Sequence, residues 1–469
     1  MSLTKASFAM INGAVFNVLD YDADPTGATD STNAIQAAIN AAKATVNTGL
    51  GTGGGVVYLP RGIYLSGALT IDVPFVSMQG DGWTATIIKS TGVTSPMLKV
   101  ISTNAPAAES YHMFIKDIKF QNGNTTTNDL LWLQNIAFWR VENCWFQGSA
   151  TTVNTCVAVR SSLLGTFEQC TFRYATQYTV DVYQLSGYAT PPNAVTFRDC
   201  AFWEGTVFGL RYQDGAMLRI LDCDFEGNGK GANDVNHGGI QIKNTSPNGE
   251  GASAIINNTW FEANVGTNIR LDDHRYNAGG VYISDCLALG GNVNYGIYAP
   301  NPGAGRSNNV NVKNSIFQSA NLYDFYFEDN VSATLTNCLS ALDSLGQNTS
   351  AFPRPATPSR SKSIAALQSF GTVRLINNSA TPTVDQGAVY ILANTVATNV
   401  TGLLGGASGQ TLTFIDETGN TTLKNNVAPS GSELKMYLSG GADKVMTAND
   451  TITLVCDGTA WYQTAFSAN

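Results

Sequence analysis

The sequence predicts an all-β protein: a parallel β-helix with three strands per coil, a short N-terminal capping helix and a small C-terminal β-sandwich domain. Three observations carry this expectation. A four-residue pattern recurs through the middle of the chain, strand-like runs with period-two alternation lie between its copies, and the composition combines 46 glycines with only 13% charged residues. That composition suits many strands and tight turns and excludes a helical bundle or a disordered chain. At 469 residues the chain is too long for one ordinary core, which points to several domains or an extended repeat.

The repeat reads polar, small, any, then usually aromatic. Its copies are Asp117-Ile118-Lys119-Phe120, Asn143-Cys144-Trp145-Phe146, Gln169-Cys170-Thr171-Phe172, Asp199-Cys200-Ala201-Phe202, Asp222-Cys223-Asp224-Phe225 and Asn258-Thr259-Trp260-Phe261. Weaker copies begin at Asp285, Asn314 and Asn337, and successive copies lie 23 to 36 residues apart. Each interval holds two more strand-like runs, such as Ala194–Phe197 before a copy and Gly239–Lys243 after one. Alternation turns the second and fourth positions inward. Stacked coils then build a core that no single coil buries alone. Most of the eight cysteines fall at the second position, so they read as reduced, buried small residues rather than a disulfide framework.

Ahead of the coils, Asp30-Ser31-Thr32-Asn33 reads as a helix start, and Ile35, Ala38, Ile39 and Ala42 share one helical face. Such a helix closes the open end of the first rung. Gly53-Gly54-Gly55 has no following Gly-Lys-Ser/Thr, so it reads as a turn rather than a phosphate loop. After the coils, Gly346–Lys362 carries three prolines and no apolar periodicity, as a linker does. From Ser363 the chain is again strand-rich, and Asp457-Gly458 before Thr459-Ala460-Trp461-Tyr462 reads as a hairpin.

The net charge of -9 and the lack of a basic stripe argue against nucleic acid as a partner. No membrane span and no export signal are read from the chain. No cofactor is implied. Asp272-Asp273-His274 is one local cluster without ligands on other coils, so no metal is assigned.

The run Phe16-Asn17-Val18-Leu19-Asp20-Tyr21-Asp22-Ala23-Asp24-Pro25-Thr26-Gly27, then Asp30-Ser31-Thr32, Val57-Tyr58-Leu59-Pro60-Arg61-Gly62-Ile63-Tyr64 and Gln79-Gly80-Asp81-Gly82, resembles the pectate-lyase-like right-handed β-helix proteins, in particular phage tailspikes. The resemblance covers roughly residues 13–345, and the Asp457–Tyr462 ending is also similar to tailspike and tail-fibre ends. It implies a homotrimer of the virion tail that binds and cleaves a bacterial capsular or O-antigen polysaccharide at the cell surface. The implied divisions are an attachment peptide at 1–12 that docks on a phage tail or baseplate protein, a cap with the first coils at 13–110, the central β-helix at 111–345, the linker at 346–362 and a trimerisation or glycan-binding domain at 363–469. The ordered Asn-x-Asp, Asp-Asp and Gly-His-Gly pattern of polygalacturonases is not reproduced, so those roles do not carry over.

Reading the same repeat outward gives candidate chemistry. The third position carries Trp145, Thr171, Ala201, Asp224, Trp260 and Leu287, and the fifth carries Gln147, Arg173, Trp203, Glu226, Glu262 and Leu289. With strands about 4.8 Å apart, Glu226 and Glu262 become direct neighbours and Asp224 stands beside Trp260. Two carboxyls flanking a bond suit glycoside hydrolysis, and tryptophan faces suit sugar rings. Glu226, Glu262 and Asp224 are therefore the catalytic candidates. Trp203, Trp260, Glu204 and Arg173 are the substrate-binding candidates beside them, and His237 ends the Gly/Asn-rich loop Gly227–Gly238 of the longest coil. On the following sheet, Asp181, Arg211, Gln241, Lys243, Arg270 and Asp272 are expected to face outward. Of these, Arg211, Lys243, Arg270 and Asp272 join the binding candidates, with the arginines and lysine either meeting an acidic sugar or pairing with nearby carboxylates. A hydrolase is the main expectation; a polysaccharide lyase and a non-enzymatic adhesin are the alternatives.

Overall fold

The first position of each repeat makes a corner. Asp117, Asn143, Gln169, Asp199, Asp222, Asn258, Asp285 and Asn314 all have φ between 46° and 61°. This left-handed conformation is one that Asn and Asp tolerate better than other side chains. These corner side chains also bond along the stack: Asn143 Nδ2 donates to Asp117 Oδ1 at 2.6 Å, and Asn258 Nδ2 donates to Asp222 Oδ1 at 2.6 Å.

The second position closes the same corner. Cys144 Sγ donates to Glu142 O, two residues back, at 3.2 Å, and Cys170, Cys200, Cys223, Cys286 and Cys338 repeat this bond. Thr259 Oγ1 and Ser315 Oγ do so at 3.0 and 2.8 Å. Eight of the nine copies thus carry a small side chain with a donor at this position, where Cys, Thr and Ser interchange; the first copy has the buried Ile118 instead. All eight cysteines are free, and burial pushes the Cys144 and Cys286 thiols up to about 12.

The fourth position builds the core. Phe120, Phe146, Phe172, Phe202, Phe225 and Phe261 form one column with neighbouring ring centroids 4.3 to 5.5 Å apart. Each is fully or nearly fully buried, which contributes about 2 kcal/mol per ring.

In the computed structural model these coils form three parallel sheets, two of 12 strands and one of 10. The described residues are 15–92, 95–102, 109–123, 127–245, 253–272, 280–290, 292–300, 308–317, 320–328, 331–336, 338–340, 374–384 and 389–468. The expected attachment peptide 1–12 and linker 346–362 lie outside them. The repeat strands form the second sheet, from Thr26–Asp30 to Leu339–Ser340. The runs before them form the first sheet and the runs after them the third.

The helix Thr32–Lys43 buries Ile35, Ala38, Ile39 and Ala42, the face read from the sequence. Its start is capped by Asp30, whose Oδ1 accepts from Thr32 N at 2.8 Å, whereas Ser31 instead bonds Asp24 N at 2.9 Å. The three-glycine run leads into the strand Gly55–Tyr58, with no phosphate loop, and a Cβ on Gly54, at φ 78°, would stand 2.1 Å from Phe75 O.

Residues 366–469 form a second compact unit. Its largest sheet has six strands, in the order Arg374–Ile376, Val389–Leu392, Thr411–Asp416, Thr451–Cys456, Trp461–Ser467 and Met436–Tyr437. Tyr390, Phe414, Leu454 and Trp461 lie in its own core. The expected hairpin is present: Thr451–Cys456 pairs antiparallel with Trp461–Ser467. Its turn is tied by Asp457 Oδ1, which accepts from Thr459 N and Ala460 N at 2.7 and 2.8 Å.

Candidate functional site

The register of the second sheet brings the outward columns together. Trp203, Glu226 and Glu262 stand opposite one another on consecutive strands, and Asp224 stands opposite Ala201 and Trp260. The inward neighbours Phe225 and Phe261 are buried, which fixes the facing of Asp224, Glu226, Trp260 and Glu262. Trp203 Nε1 donates to Asp224 Oδ2 at 2.6 Å, and Trp260 Nε1 donates to Glu262 Oε2 at 3.1 Å. Each tryptophan is thus tied to a carboxylate, and Trp260 keeps 39% of its surface exposed.

The electrostatics of this patch favour protonation. The Asp224 carboxyl is raised by burial, lowered by its bond from Trp203 and raised by Glu262. The Glu226 carboxyl is raised first by partial burial, then by Asp224, Glu262 and Glu204, against the opposing charge of Arg173. Burial and crowded like charges thus act in the same direction on both carboxyls, raising them.

Glu204 lies within the strand Ala201–Gly205 and adopts φ 64°, which breaks the alternation after Trp203. It is ion-paired to Lys230 of the 227–238 loop. Arg173 lies over the Tyr174 and Trp203 rings, at 4.5 and 5.8 Å. The aromatic surface is longer than the sequence indicates: Trp83 packs on Trp145 at 4.7 Å and Trp145 on Trp203 at 6.3 Å. Trp83 lies outside any repeat copy, so the repeat gave no signal for it.

The remaining candidates sit elsewhere. His237 Nδ1 bonds Asp234 Oδ1 at 2.7 Å within its own loop. Arg211, Lys243, Arg270 and Asp272 belong to strands of the third sheet. Arg211 and Arg270 pair with carboxylates: Arg211 Nε lies 2.7 Å from Asp181 Oδ1, and Arg270 Nε lies 2.7 Å from Asp272 Oδ1. Arg270 Nη1 also donates to Val235 O and Asn236 Oδ1, each at 2.7 Å, and so clamps the loop.

One expectation is corrected here. Asp181, Gln241 and Asp272 occupy outward register positions but are buried, at 3, 8 and 9% exposure. The cause is long side chains on adjacent coils and, for Asp272, on its own strand. Arg160 and Arg211 enclose Asp181, and Gln241 Nε2 and Arg270 Nε both bond Asp272 Oδ2, at 2.8 Å. Asp273 and His274 lie outside the described residues.

The sequence reading also missed a cleft on the third sheet, about 320 Å³ in volume, lined by Asp129, Trp132, Arg160, Tyr178, Asp181 and Arg211 among others. Asp129 and Arg160 gave no signal because their burial is set by residues one or two coils away.

The sequence model of the family described as rhamnogalacturonase A/epimerase, pectate lyase-like matches residues 15–275, and that of the phage depolymerase C-terminal β-sandwich domain matches residues 373–462. No curated protein matches. Among solved structures, the chain is similar to the surface adhesin PfbA of Streptococcus pneumoniae, at 11% identity and TM-score 0.47, covering 96% of this chain and 98% of that one. It is also similar to the A-module of the Azotobacter vinelandii mannuronan C-5 epimerase AlgE6, at 15% identity and TM-score 0.44, covering 69% and 99%. ORF18 of Geobacillus virus E2 matches at 13% identity and TM-score 0.41, covering 99% and 80%. The chain belongs to the rhamnogalacturonase A/epimerase, pectate-lyase-like family and is a right-handed β-helix protein of the phage tailspike and depolymerase type.

Proposed function

We propose that this protein hydrolyses a bacterial surface polysaccharide, a capsule or O-antigen, using carboxylates of the second sheet. The observation that carries the reading is the side-by-side register of Glu226 and Glu262, with Asp224 two residues along and a tryptophan bonded to a carboxylate on each flank. Glu226, raised by partial burial and then by its acidic neighbours, is the general acid that protonates the glycosidic oxygen. Glu262 then attacks the anomeric carbon or activates a water, and Asp224 is the alternative partner.

The two pairings differ in span. Glu226 and Glu262 sit one strand apart, about 4.8 Å, while Asp224 and Glu226 sit two residues apart along a strand, about 6.6 Å. The shorter span lies near the separation of retaining enzymes and the longer one within that of inverting enzymes. The anomeric configuration of the first product therefore distinguishes Glu262 from Asp224 as partner.

The test is digestion of purified host polysaccharide by the wild type, Glu226→Gln and Glu262→Gln. Loss of cleavage by roughly a hundredfold or more, with binding kept, is expected for each. Unchanged cleavage in both variants refutes the site. New ultraviolet absorbance from an unsaturated product assigns a lyase instead, and retained binding without any cleavage by the wild type assigns an adhesin. Action in the virion tail as a homotrimer attached through the N-terminus belongs to the same proposal. Light scattering that gives three times the chain mass supports the trimer, and a monomer mass removes it.

A further inference from the structure

The cleft on the third sheet is built from charges that the proposed chemistry does not use. Asp181 receives Arg160 Nη2 at 2.8 Å from the preceding coil, and Arg211 Nε and Nη2 at 2.7 and 2.8 Å from the following coil. The guanidinium planes are held by rings: Arg160 lies 3.8 Å from the Tyr183 centroid and 4.9 Å from that of Trp132, and Arg211 lies 4.2 Å from that of Tyr178. Ala158 stands between Trp132 and Asp181 in the register, so this row has a gap where its neighbours have long side chains.

Beside this rigid network are buried polar atoms that it does not engage. Among the described residues, Asp129 Oδ1, Thr155 Oγ1 and Arg160 Nε are buried without a hydrogen-bond partner, and Asp129 is 4% exposed. Asp129 and Thr155 are register partners on adjacent strands, and both line the cleft with Arg160. A carboxylate oxygen, a hydroxyl and a guanidinium N–H together call for groups that both donate and accept. Neighbouring hydroxyls of a sugar ring do so. The charges balance within the cleft, with Arg160 and Arg211 facing Asp181 and Asp129, so an uncharged ligand fits. The volume is at the small end of ligand pockets, which suits one ring.

We propose that this cleft is a second glycan site, separate from the Glu226 patch, that takes one neutral sugar residue whose hydroxyls bond Asp129, Thr155 and Arg160. The proposal rests on the reading of the chain as a glycan-handling protein and not on Glu226 or Glu262 being catalytic.

The site has a pH signature. Burial pushes the Asp129 carboxyl up to about 6, against the pull of Arg160 and, more weakly, of the neighbouring Thr155. The charged and titratable groups around it are Arg160 and Cys156 on its neighbouring strand, Tyr178 and Asp181 on the next, Arg211 beyond, and Lys99 beside Trp132 on the other side. Neither His112 nor His237 lines the cleft. A sugar hydroxyl donating to Asp129 favours the ionised form, so it lowers that carboxyl in the complex. Binding is then full above pH 6 and weakens as pH falls through 6. A uronate shows the opposite slope, because its own carboxylate needs Asp129 protonated.

The experiment is ligand-observed NMR on the full chain with methyl glycosides of neutral hexoses, 6-deoxyhexoses and N-acetylhexosamines, and with methyl glucuronide and galacturonide. Binding of a neutral glycoside is expected, about threefold to tenfold weaker at pH 5 than at pH 7.5. Asp129→Asn and Thr155→Val are each expected to weaken it at least about fivefold. The variant carrying both Glu226→Gln and Glu262→Gln is expected to keep it, whatever its cleavage activity. Binding of uronides alone, binding that strengthens at pH 5, or no binding by any neutral glycoside overturns the proposal. Undiminished affinity in Thr155→Val and Asp129→Asn, or loss in the Glu226/Glu262 variant, overturns it too.

Discussion

Glu204 does not need to touch substrate to matter, because its charge is one of those that raise Glu226. Removing a negative neighbour lowers the Glu226 carboxyl, so a general acid at that position loses its proton at lower pH. Glu204→Gln is therefore expected to move the alkaline limb of the cleavage profile to lower pH. Arg173→Met removes an opposing positive charge and is expected to move the limb upward. Initial rates across pH 4 to 9 check both signs. The repeat makes a second prediction at this scale. Thr259→Cys preserves a donor to Asn257 O and is expected to leave stability nearly unchanged, whereas Thr259→Val removes that bond, leaves Asn257 O only its bond from Asp222 N, and costs about 1 kcal/mol, read from denaturation midpoints.

Among the elements, the 227–238 loop is tied to two sheets. Lys230 pairs with Glu204 on the second, and Arg270 bonds Val235 O and Asn236 on the third. Arg270→Ala is expected to speed amide exchange in residues 231–238 with little change elsewhere, as hydrogen-exchange mass spectrometry reports. The same elements show what the sequence reveals. The columns of the second sheet were legible because buried Phe and Cys alternate with them, and a strand of period two leaves no other facing for Asp224, Glu226 and Glu262. The corner at the first position was visible as a polar residue, but its φ was not. The third sheet was legible inward, through residues such as Ile240 and Ile242, and misread outward. Alternation gives the facing of Asp181 and Asp272 but not their cover, which comes from arginines and Gln241 reaching across from other coils. Asp129 was missed for the same reason, since its environment is assembled from Thr155, Arg160, Tyr178 and Asp181.

For the molecule as a whole, the two compact units have separate cores, one running along the coils and the other around Trp461. Calorimetry is expected to show two transitions, and Trp461→Ala, which deletes a fully buried ring at about 3–5 kcal/mol, is expected to lower only one of them. A single transition shifted as a unit contradicts independent cores. Within the coils, each rung rests on its two neighbours, so stability is summed from rung to rung.

That arrangement gives the column of free cysteines a use in measurement. Cys144, Cys170, Cys200, Cys223 and Cys286 mark five coils, all are buried, and burial holds the Cys144, Cys200, Cys223 and Cys286 thiols protonated at neutral pH. A thiol reagent reaches such a sulfur only when its rung opens. The sequence thus carries its own set of chemical clocks, and the order in which they are alkylated reads out where along its length the solenoid begins to come apart.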